Sequence, residues 1–204
     1  AKKVAIAIAA GAAAAPFVDA DPAVLPVLGA WYGILLFAFQ IYFDFSGYTD
    51  IAIGLALLLG LRFPKNFNYP YAATTFQDFW RRWHMTLSRW LRDYLYISLG
   101  GNRGRLSRTL ANLIATMVLG GLWHGASWTF VIWGTLHGMY LAMERLFLKD
   151  ARWWHNDALL ARLLRALIVF HFVCIAWVFF RAPDFAVARD MFGNLLQAFR
   201  FADL

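Results

Sequence analysis

The chain has 204 residues, of which 61% are hydrophobic and 15% are charged, and its formal net charge is +7. Soluble domains are about 45–50% apolar and about 25% charged, so the composition excludes an ordinary soluble domain. One core cannot bury that much apolar surface in water, whereas lipid tails solvate leucine and phenylalanine as well as a core does. The composition therefore predicts a membrane protein.

Apolar runs along the chain predict several membrane-spanning helices, each needing about 20 largely apolar residues. The first run, 4–18, follows Lys2 and Lys3 and resembles a signal peptide. We interpret it as a membrane helix because another apolar run follows almost at once. The uncharged run 109–143 is long enough for two passes with a turn between them. The other two runs are 24–43 and 166–180.

Positive charge is concentrated in residues 62–108. This segment contains nine basic and two acidic side chains, which accounts for the net charge of the whole chain. A basic chain can bind nucleic acid. Here the charge lies between apolar runs, where the positive-inside rule explains it without a nucleic-acid partner. We predict that 62–108 is a cytoplasmic or interfacial segment, and that Asp19 and Asp184 lie on the outer face.

The path of residues 22–61 conflicts with this topology. If 24–43 runs inward and 44–61 runs outward, Arg62 arrives on the outer side instead of the cytoplasmic side. Either 44–61 is re-entrant, or one of the two segments is not a full span.

A polar cluster, DFSGYTD at 44–50, lies within this region. Its carboxylates, Asp44 and Asp50, must be solvated, paired or protonated at this depth. They can bind a helix end, pair with arginine or line a cavity. We favour structural pairing over a functional role on the residues alone.

Residues 76–97 have the periodicity of one amphipathic helix. Aromatic and leucine side chains form one stripe, and arginine, serine and aspartate lie opposite. Such a helix, basic on one face and rich in tryptophan on the other, is typical of the membrane interface. Thr75 is its predicted N-cap, and Gly100-Gly101-Asn102 ends it. His84 falls at the edge of the apolar stripe, where it can simply be a boundary residue.

His124 is the strongest candidate for a catalytic residue. The segment from Arg108 to Trp123 spans only about 22 Å at 1.5 Å per residue, which is shorter than a hydrocarbon core of about 30 Å. Gly120, Gly121 and Gly125 predict a break near His124, deep in the membrane. An ionisable residue there suggests function, and a neutral imidazole can act as a general base on a hydroxyl. The alternative is a core histidine bonded to a backbone carbonyl.

We expect no metal site. The spacing of the five histidines and the single cysteine does not match known metal-ligand patterns. His137 and Glu144 are seven residues apart, which is not the spacing of a helical zinc site, and His137-Gly138 is expected to pack against a neighbouring helix. Cys174 lies in an apolar run and is expected to be a buried packing residue.

Five blocks, in this order, resemble the membrane-bound O-acyltransferase (MBOAT) superfamily, in the branch with alginate O-acetyltransferases. A lone WHG would be weak, but FWRRWHMTLSRWLRDYLYISLGG and GLWHGASW together are specific. The ending Phe179–Phe185 (FFRAPDF) also fits. Family members are longer, and the chain starts at Ala1, so we expect residues 1–204 to be one membrane domain within a longer protein. The blocks are Tyr42–Ile51, Arg62–Tyr71, Phe76–Gly101, Gly121–Trp128 and Trp133–Gly138.

The resemblance implies an all-α, multi-pass transmembrane fold with re-entrant or interfacial helices. It implies that His124 is the base that activates the acceptor hydroxyl, and that His84 is the second catalytic position, which positions the donor or the acceptor. The FWRRWH helix would lie at the cytoplasmic mouth of a tunnel. Residues expected to bind substrate or line that tunnel are Asp44, Tyr48, Asp50, Trp83, Ser88, Arg89 and Trp123.

The resemblance also implies a function: an acyl group, in this branch acetyl, passes from a cytoplasmic thioester such as acetyl-CoA to an extracytoplasmic hydroxyl. The hydroxyl belongs to a polysaccharide or to a periplasmic acetyltransferase or relay protein. No bound cofactor is expected, and the location is the bacterial inner membrane. Alternatives are a transporter subunit that feeds acyl groups to a separate periplasmic transferase, or a structural subunit. The acceptor polymer stays open among alginate, cellulose, other exopolysaccharides, peptidoglycan and teichoic acid.

Overall fold

The computed structural model describes residues 2–20, 25–148, 151, 154 and 156–196. These residues form helices and connecting turns with no β-strand among them, so the all-α prediction is confirmed for this part of the chain. They fall into two compact units. The first comprises described residues of 1–65 and 177–204, and the second comprises those of 66–176.

The first unit is built on an antiparallel helix pair. A π-helical turn, Lys2–Ala7, continues into α1, Ile8–Val18, and α2 is Val27–Leu58. The two helices approach closely: a Cβ built on Gly33 would lie 2.6 Å from the Phe17 Cβ. The last turn of α7 and the helix α8, Phe185–Leu196, complete the unit.

Ion pairs join the first unit at both ends of this helix pair. Lys2 Nζ lies 2.7 Å from an Asp50 carboxylate oxygen, and Lys3 Nζ lies 2.7 Å from one of Asp44. At the other end, the Arg181 guanidinium pairs with Asp19. All of these side chains are partly exposed, so each pair contributes little to stability by itself, of the order of 0–1 kcal/mol.

The predicted division of residues 24–61 into two segments is wrong. A single 32-residue helix, α2, runs from Val27 to Leu58 and includes the whole polar cluster. At 1.5 Å per residue it is about 48 Å long. Lys2 and Lys3 from the adjacent helix neutralise the two carboxylates, so a polar stretch need not interrupt the helix. One long helix joins the Asp19 end to the Arg62 end, which removes the conflict in the predicted path.

The second unit contains a helical hairpin formed by α5, Leu106–His124, and α6, Trp128–Met143. The helix pair and turn predicted for residues 109–143 are therefore confirmed. A π-helical turn, Glu144–Leu148, extends α6. The unit also includes most of α7, Leu159–Arg181, where Cys174 is buried as expected. Among the described residues, α2 and α7 are long and apolar enough to cross a membrane.

Glycines allow α5 and α6 to touch backbone to backbone. A Cβ on Gly121 would lie 2.2 Å from the Phe130 carbonyl oxygen, and a Cβ on Gly134 would lie 2.3 Å from that of Met117. A Cβ on Gly138 would likewise lie 2.8 Å from the Ile114 Cα. These three glycines are called the glycine seam below.

The prediction of one continuous helix over 76–97 is wrong. The helix α3, Phe76–Arg82, stops at Trp83, and α4, Met85–Trp90, begins after His84, whose φ of 41° is left-handed. A neighbouring loop satisfies the interrupted backbone: Asn68 N–H donates to the Arg82 carbonyl, and Met85 N–H donates to that of Asn66, both at 2.9 Å. The periodicity of apolar residues reports which side chains share a face. It cannot show that a loop distant in sequence supplies the hydrogen bonds that replace those of the helix.

The ends of this segment agree with the prediction. The Thr75 hydroxyl accepts a hydrogen bond from Asp78 N–H at 3.0 Å and so caps α3. A π-helical turn, Leu91–Tyr96, follows α4, and positive φ angles at Gly100 and Gly101 end the helical path.

The apolar face of α3 packs against protein, and the location of this helix at the membrane interface stays a prediction. Phe76 stacks on Tyr140 with ring centroids 4.9 Å apart, and Trp80 meets Trp133 at 5.9 Å. Trp80 comes later than Phe76 in α3, but its partner Trp133 comes earlier than Tyr140 in α6. The two helices are therefore antiparallel. The residue pairs Leu91–Gly120 and Gly101–Asn112 likewise make the segment after His84 antiparallel to α5. Two helical hairpins therefore lie side by side.

Candidate active site

The tips of the two hairpins meet, and each tip carries a histidine. His84 is the turning residue of the first hairpin, and His124 is the last residue of α5 in the second. The Trp123 ring contacts both, with its centroid 6.5 Å from that of His84 and 5.1 Å from that of His124. Two residues that are 40 positions apart in sequence thus become neighbours.

His124 is half-buried against the start of α6. Its ring meets Trp133 edge-on at 5.1 Å and Phe130 at 6.1 Å. The helix ends here because Gly125 leaves the helical path, with its N–H donating to the Leu122 carbonyl, and the Ser127 hydroxyl caps α6. The predicted break is thus present after His124. Gly120 and Gly121 are helical instead, and pack closely against Leu91 and the Phe130 carbonyl.

His84 is uncharged at neutral pH. Burial, and to a smaller extent the charge of His124, lowers the pKa of His84 to about 4. Desolvation penalises the charged imidazolium, and a second cation nearby penalises it further. A neutral imidazole has one nitrogen that donates and one that accepts.

Asn66 holds His84 from the adjacent loop. Its side-chain oxygen lies 3.2 Å from His84 Nδ1 and also accepts from the backbone N–H and the hydroxyl of Thr86, at 3.1 and 2.9 Å. Asn66 is buried, with 7% of its surface exposed. The tip of the first hairpin is therefore fixed by side-chain contacts as well as by the backbone.

His137 lies one layer behind the histidine pair and is completely buried. Its ring contacts Trp133 at 5.0 Å, Trp80 at 5.1 Å and Phe79 at 5.9 Å. The expectation that His137-Gly138 packs against neighbouring helices is confirmed. This aromatic layer joins the two hairpins below their tips.

Glu144 fixes the other end of α3. Its carboxylate accepts hydrogen bonds from the Phe76 N–H at 2.5 Å and from the Gln77 N–H at 3.3 Å. Burial raises the pKa of Glu144, while these backbone donors and Thr75 act in the opposite direction. The carboxylate therefore caps the helix that leads to His84 and connects it to the end of α6.

Two adjacent cavities, of about 580 and 370 Å³, lie beside the hairpins and share Gln77, Arg81, Tyr96 and Asn102. The larger one is also lined by Ser88, Arg89 and Arg92, so its wall combines cations with an apolar floor formed by Trp80, Leu113 and Met117. Neither His84 nor His124 lines either cavity.

Residues 13–182 match the family model described as MBOAT, membrane-bound O-acyltransferase family. This chain belongs to the membrane-bound O-acyltransferase family.

Named relatives of this MBOAT chain act on different polymers. It is 53% identical over 174 residues to the probable alginate O-acetylase AlgI of Azotobacter vinelandii, covering 85% of the chain and 33% of the relative. It is 48% identical to the peptidoglycan O-acetyltransferase of Helicobacter pylori, with 84% and 32% covered. It is 30% identical to the teichoic acid D-alanyltransferase of Bacillus subtilis, with 78% and 42% covered. The chain spans about a third of the length of the first two.

The structure brings some of the predicted site residues of this MBOAT chain together. Trp83 is buried beside His84, and Trp123 is 62% exposed at the tip of the second hairpin. Ser88 donates its hydroxyl proton to the Trp83 carbonyl at 3.1 Å, and Arg89 Nε donates to the Met85 carbonyl at 3.2 Å. Both side chains also line the larger cavity.

Other predicted residues belong to the first unit. Asp44 and Asp50 are paired with Lys3 and Lys2, and Tyr48 on the same helix is 61% exposed. The pairing is with lysine, whereas the sequence suggested arginine. Their predicted role in substrate binding stays a prediction.

Sequence reasoning missed Asn66 and the capping role of Glu144. Asn66 lies in the RFPKNFNYPY block, but a single asparagine in a loop gives no periodic signal. Glu144 was considered only as a metal ligand beside His137. A charged residue at the end of an apolar helix was the available sign that it has a buried partner.

Proposed function

We propose that this chain is the catalytic part of a multi-pass membrane enzyme of the bacterial inner membrane. The enzyme transfers an acyl group, in this branch acetyl, from a cytoplasmic thioester to a hydroxyl on the outer side. The observation that carries the proposal is the meeting of His84 and His124 at the tips of two helical hairpins. Histidines drawn from distant positions to one half-buried place are what acid–base chemistry requires.

The proposed reaction needs a base at the acceptor hydroxyl. The neutral His124 imidazole takes the hydroxyl proton as the oxygen attacks the thioester carbonyl carbon. The tetrahedral intermediate collapses, the carbon–sulfur bond breaks, and the thiolate leaves and receives the proton. An ester and a free thiol result, and the imidazole is neutral again. No metal is required by these steps.

The larger cavity supports a route for the donor. Arg81, Arg89 and Arg92 are cations on its wall, and they attract an anionic donor such as acetyl-CoA by charge alone. The apolar floor suits the chain that links the phosphates to the thioester. Ser88 and Arg89, predicted from the resemblance as substrate-binding or tunnel residues, are among its lining residues.

The relatives support acyl transfer and leave the acceptor open. Their names specify acetyl transfer to alginate or peptidoglycan and alanyl transfer to teichoic acid. We propose acetyl transfer to an exopolysaccharide, either directly or through a periplasmic relay protein, because the alginate O-acetylase shares the higher identity.

The first test is His124→Gln in the full-length protein, with acetylation of the polymer measured in cells that carry its partners. We expect a loss of about 100-fold or more, since general bases contribute about 10²–10⁴-fold. His171→Gln is the matched control: His171 is exposed on α7, and its Nδ1 bonds to the Leu167 carbonyl. Unchanged acetylation by normally expressed His124→Gln would refute the proposed role.

A second assay separates transfer from transport. Purified full-length protein is given acetyl-CoA and, in separate reactions, a soluble oligosaccharide alone or the purified relay protein alone, and ester formation on each acceptor is followed by mass spectrometry. An enzyme forms the ester, and His124→Gln abolishes it. A transporter subunit forms no ester under these conditions, whereas it restores acetylation when a periplasmic transferase is added.

A further inference from the structure

Asn66 is a polar residue beside His84 to which the proposed function gives no role. It lies in a loop, it is buried, and its side-chain oxygen meets three donors of the first hairpin's tip: His84 Nδ1, Thr86 N–H and the Thr86 hydroxyl. The backbone carbonyl of Asn66 accepts a hydrogen bond from Met85 N–H. One residue therefore bonds to the histidine and to both residues that follow it.

The contact with Thr86 determines which way the Asn66 amide points. The oxygen and nitrogen of an amide are assigned from their hydrogen-bond partners. A backbone N–H only donates, so the Asn66 atom that lies 3.1 Å from Thr86 N must be the oxygen. The same atom faces His84 Nδ1 at 3.2 Å.

An acceptor at Nδ1 determines the tautomer of the histidine. The Thr86 hydroxyl also lies 3.5 Å from Nδ1, but its single proton goes to the Asn66 oxygen at 2.9 Å. Since the amide oxygen cannot donate, the proton in the Nδ1 contact belongs to His84, and the neutral ring then has its lone pair on Nε2. We infer that Asn66 is a positioning residue that sets the tautomer of His84, so that His84 engages the substrate as a hydrogen-bond acceptor at Nε2.

The inference limits what His84 can do, and this step rests on the proposed function. A ring without a proton on Nε2 cannot donate to the thioester carbonyl oxygen or to the oxyanion of the intermediate. It can accept from a hydroxyl group. The resemblance left open whether His84 positions the donor or the acceptor, and the tautomer assigns it to the acceptor, at a hydroxyl other than the reacting one, whose single proton goes to His124.

The backbone around His84 supports the same arrangement. A left-handed conformation at a residue other than glycine persists only where its surroundings hold it, and such residues cluster at functional sites. Here the loop supplies hydrogen bonds on both sides of His84, through Asn68 N–H and the Asn66 carbonyl. Ring orientation and tautomer are thus set by the same loop.

Nitrogen-15 NMR tests the tautomer directly. Full-length protein labelled with ¹⁵N-histidine is placed in lipid nanodiscs at about pH 7.5, and the His84 signals are identified by their loss in His84→Gln. We expect a protonated Nδ1 and an unprotonated Nε2. A proton on Nε2 would overturn the inference. The NMR measurement needs no turnover, so it tests the tautomer independently of the proposed function. The proposed function fails separately, if wild-type protein with the expected tautomer forms no ester.

Two substitutions test the role of Asn66. Asn66→Leu removes the acceptor, and we expect the Nδ1–H preference to disappear and kcat to fall about tenfold or more, with little change in KM for acetyl-CoA. Asn66→Asp keeps an acceptor oxygen but adds a negative charge, which favours the imidazolium. This variant should keep the Nδ1 proton and shift the acid limb of the pH–rate profile to higher pH.

Asn68→Ala is the matched control. Asn68 is exposed and contacts the hairpin through its backbone N–H, which the substitution retains, so tautomer and pH profile should stay as in wild type. If Asn66→Leu does not fold, the pH profile of Asn66→Asp decides. An unshifted acid limb in that variant contradicts the positioning role.

Discussion

At the scale of single residues, the histidine pair combines two different environments. His84 is fixed by hydrogen bonds from a loop, whereas His124 is held by aromatic rings and by the end of its helix. Trp123 contacts both rings. Since the charge of His124 lowers the pKa of His84, protonation of one histidine disfavours protonation of the other. A doubly charged pair is therefore disfavoured.

The lowered pKa of His84 predicts how stability changes with pH. The folded protein binds this proton only near pH 4, whereas the unfolded chain binds it near the ordinary value of 6.5. The unfolded state therefore holds more protons between these values, and stability falls as the pH drops from about 6.5 to 4. Thermal unfolding in detergent should show a shallower loss for His84→Gln than for wild type. Equal slopes for wild type and His84→Gln would contradict the pKa shift.

At the scale of secondary structure, the glycine seam sets the distance between α5 and α6. Contact between backbones requires hydrogen in place of a side chain at Gly121, Gly134 and Gly138. Since Gly121 is one turn from His124, the seam also fixes the distance between α6 and the end of α5 that carries His124. Packing of this kind explains why a histidine can be held accurately on a short helix.

Adding a methyl group to the seam should separate the two helices. In Gly121→Ala the new Cβ would meet the Phe130 carbonyl oxygen, so we expect a loss of about 1–3 kcal/mol in stability and a lower kcat. The control is Gly193→Ala on α8, where a Cβ meets nothing within 4 Å. Alanine there should add about 0.5–1 kcal/mol. Chemical denaturation measures both, and a Gly121→Ala protein as stable as wild type would rule out tight backbone contact.

Much of the helical architecture was predictable, and the reasons for the failures are physical. Apolar run lengths gave the α5–α6 hairpin, and Thr75 gave the start of α3. The turn at His84 was missed because its backbone partners come from Asn66 and Asn68, which are distant from the helix in sequence. The α2 helix was divided in error because the lysines that neutralise its carboxylates lie more than 40 residues earlier. The proposed role of His124 was argued from its own sequence context as well as from the resemblance, that of His84 came from the resemblance, and the contacts of Asn66 required the folded structure.

At the scale of the whole molecule, helix lengths and charges support one membrane topology. The 32 residues of α2 and the 23 of α7 exceed the length needed for a hydrocarbon core of about 30 Å. Asp19 and Arg181 pair within the first unit, and the basic segment 62–108 follows the other end of α2. We predict from these features that the basic segment is cytoplasmic and that the Asp19–Arg181 pair lies outside.

Cysteine labelling checks this topology. In full-length protein freed of its natural cysteines, Arg103→Cys should react with a membrane-impermeant maleimide only after the cytoplasmic side is opened. Asp184→Cys should react in intact cells from which the outer membrane has been permeabilised. Both positions are exposed in the structure, so lack of reaction will reflect the membrane. Labelling of Arg103→Cys from outside would invert the proposed orientation.

The left-handed backbone at residue 84 restricts which amino acids can ever occupy that position. Asparagine, aspartate and histidine enter this region several-fold more often than other side chains, and glycine enters it freely, whereas β-branched residues are strongly disfavoured. If all amino acids are tested at position 84, the first requirement should be the ability to adopt a left-handed backbone. The chemistry of the side chain should matter only among the variants that fold. Valine or isoleucine at this position should prevent correct folding of the tip, whereas asparagine and aspartate leave a polar group at a correctly folded tip.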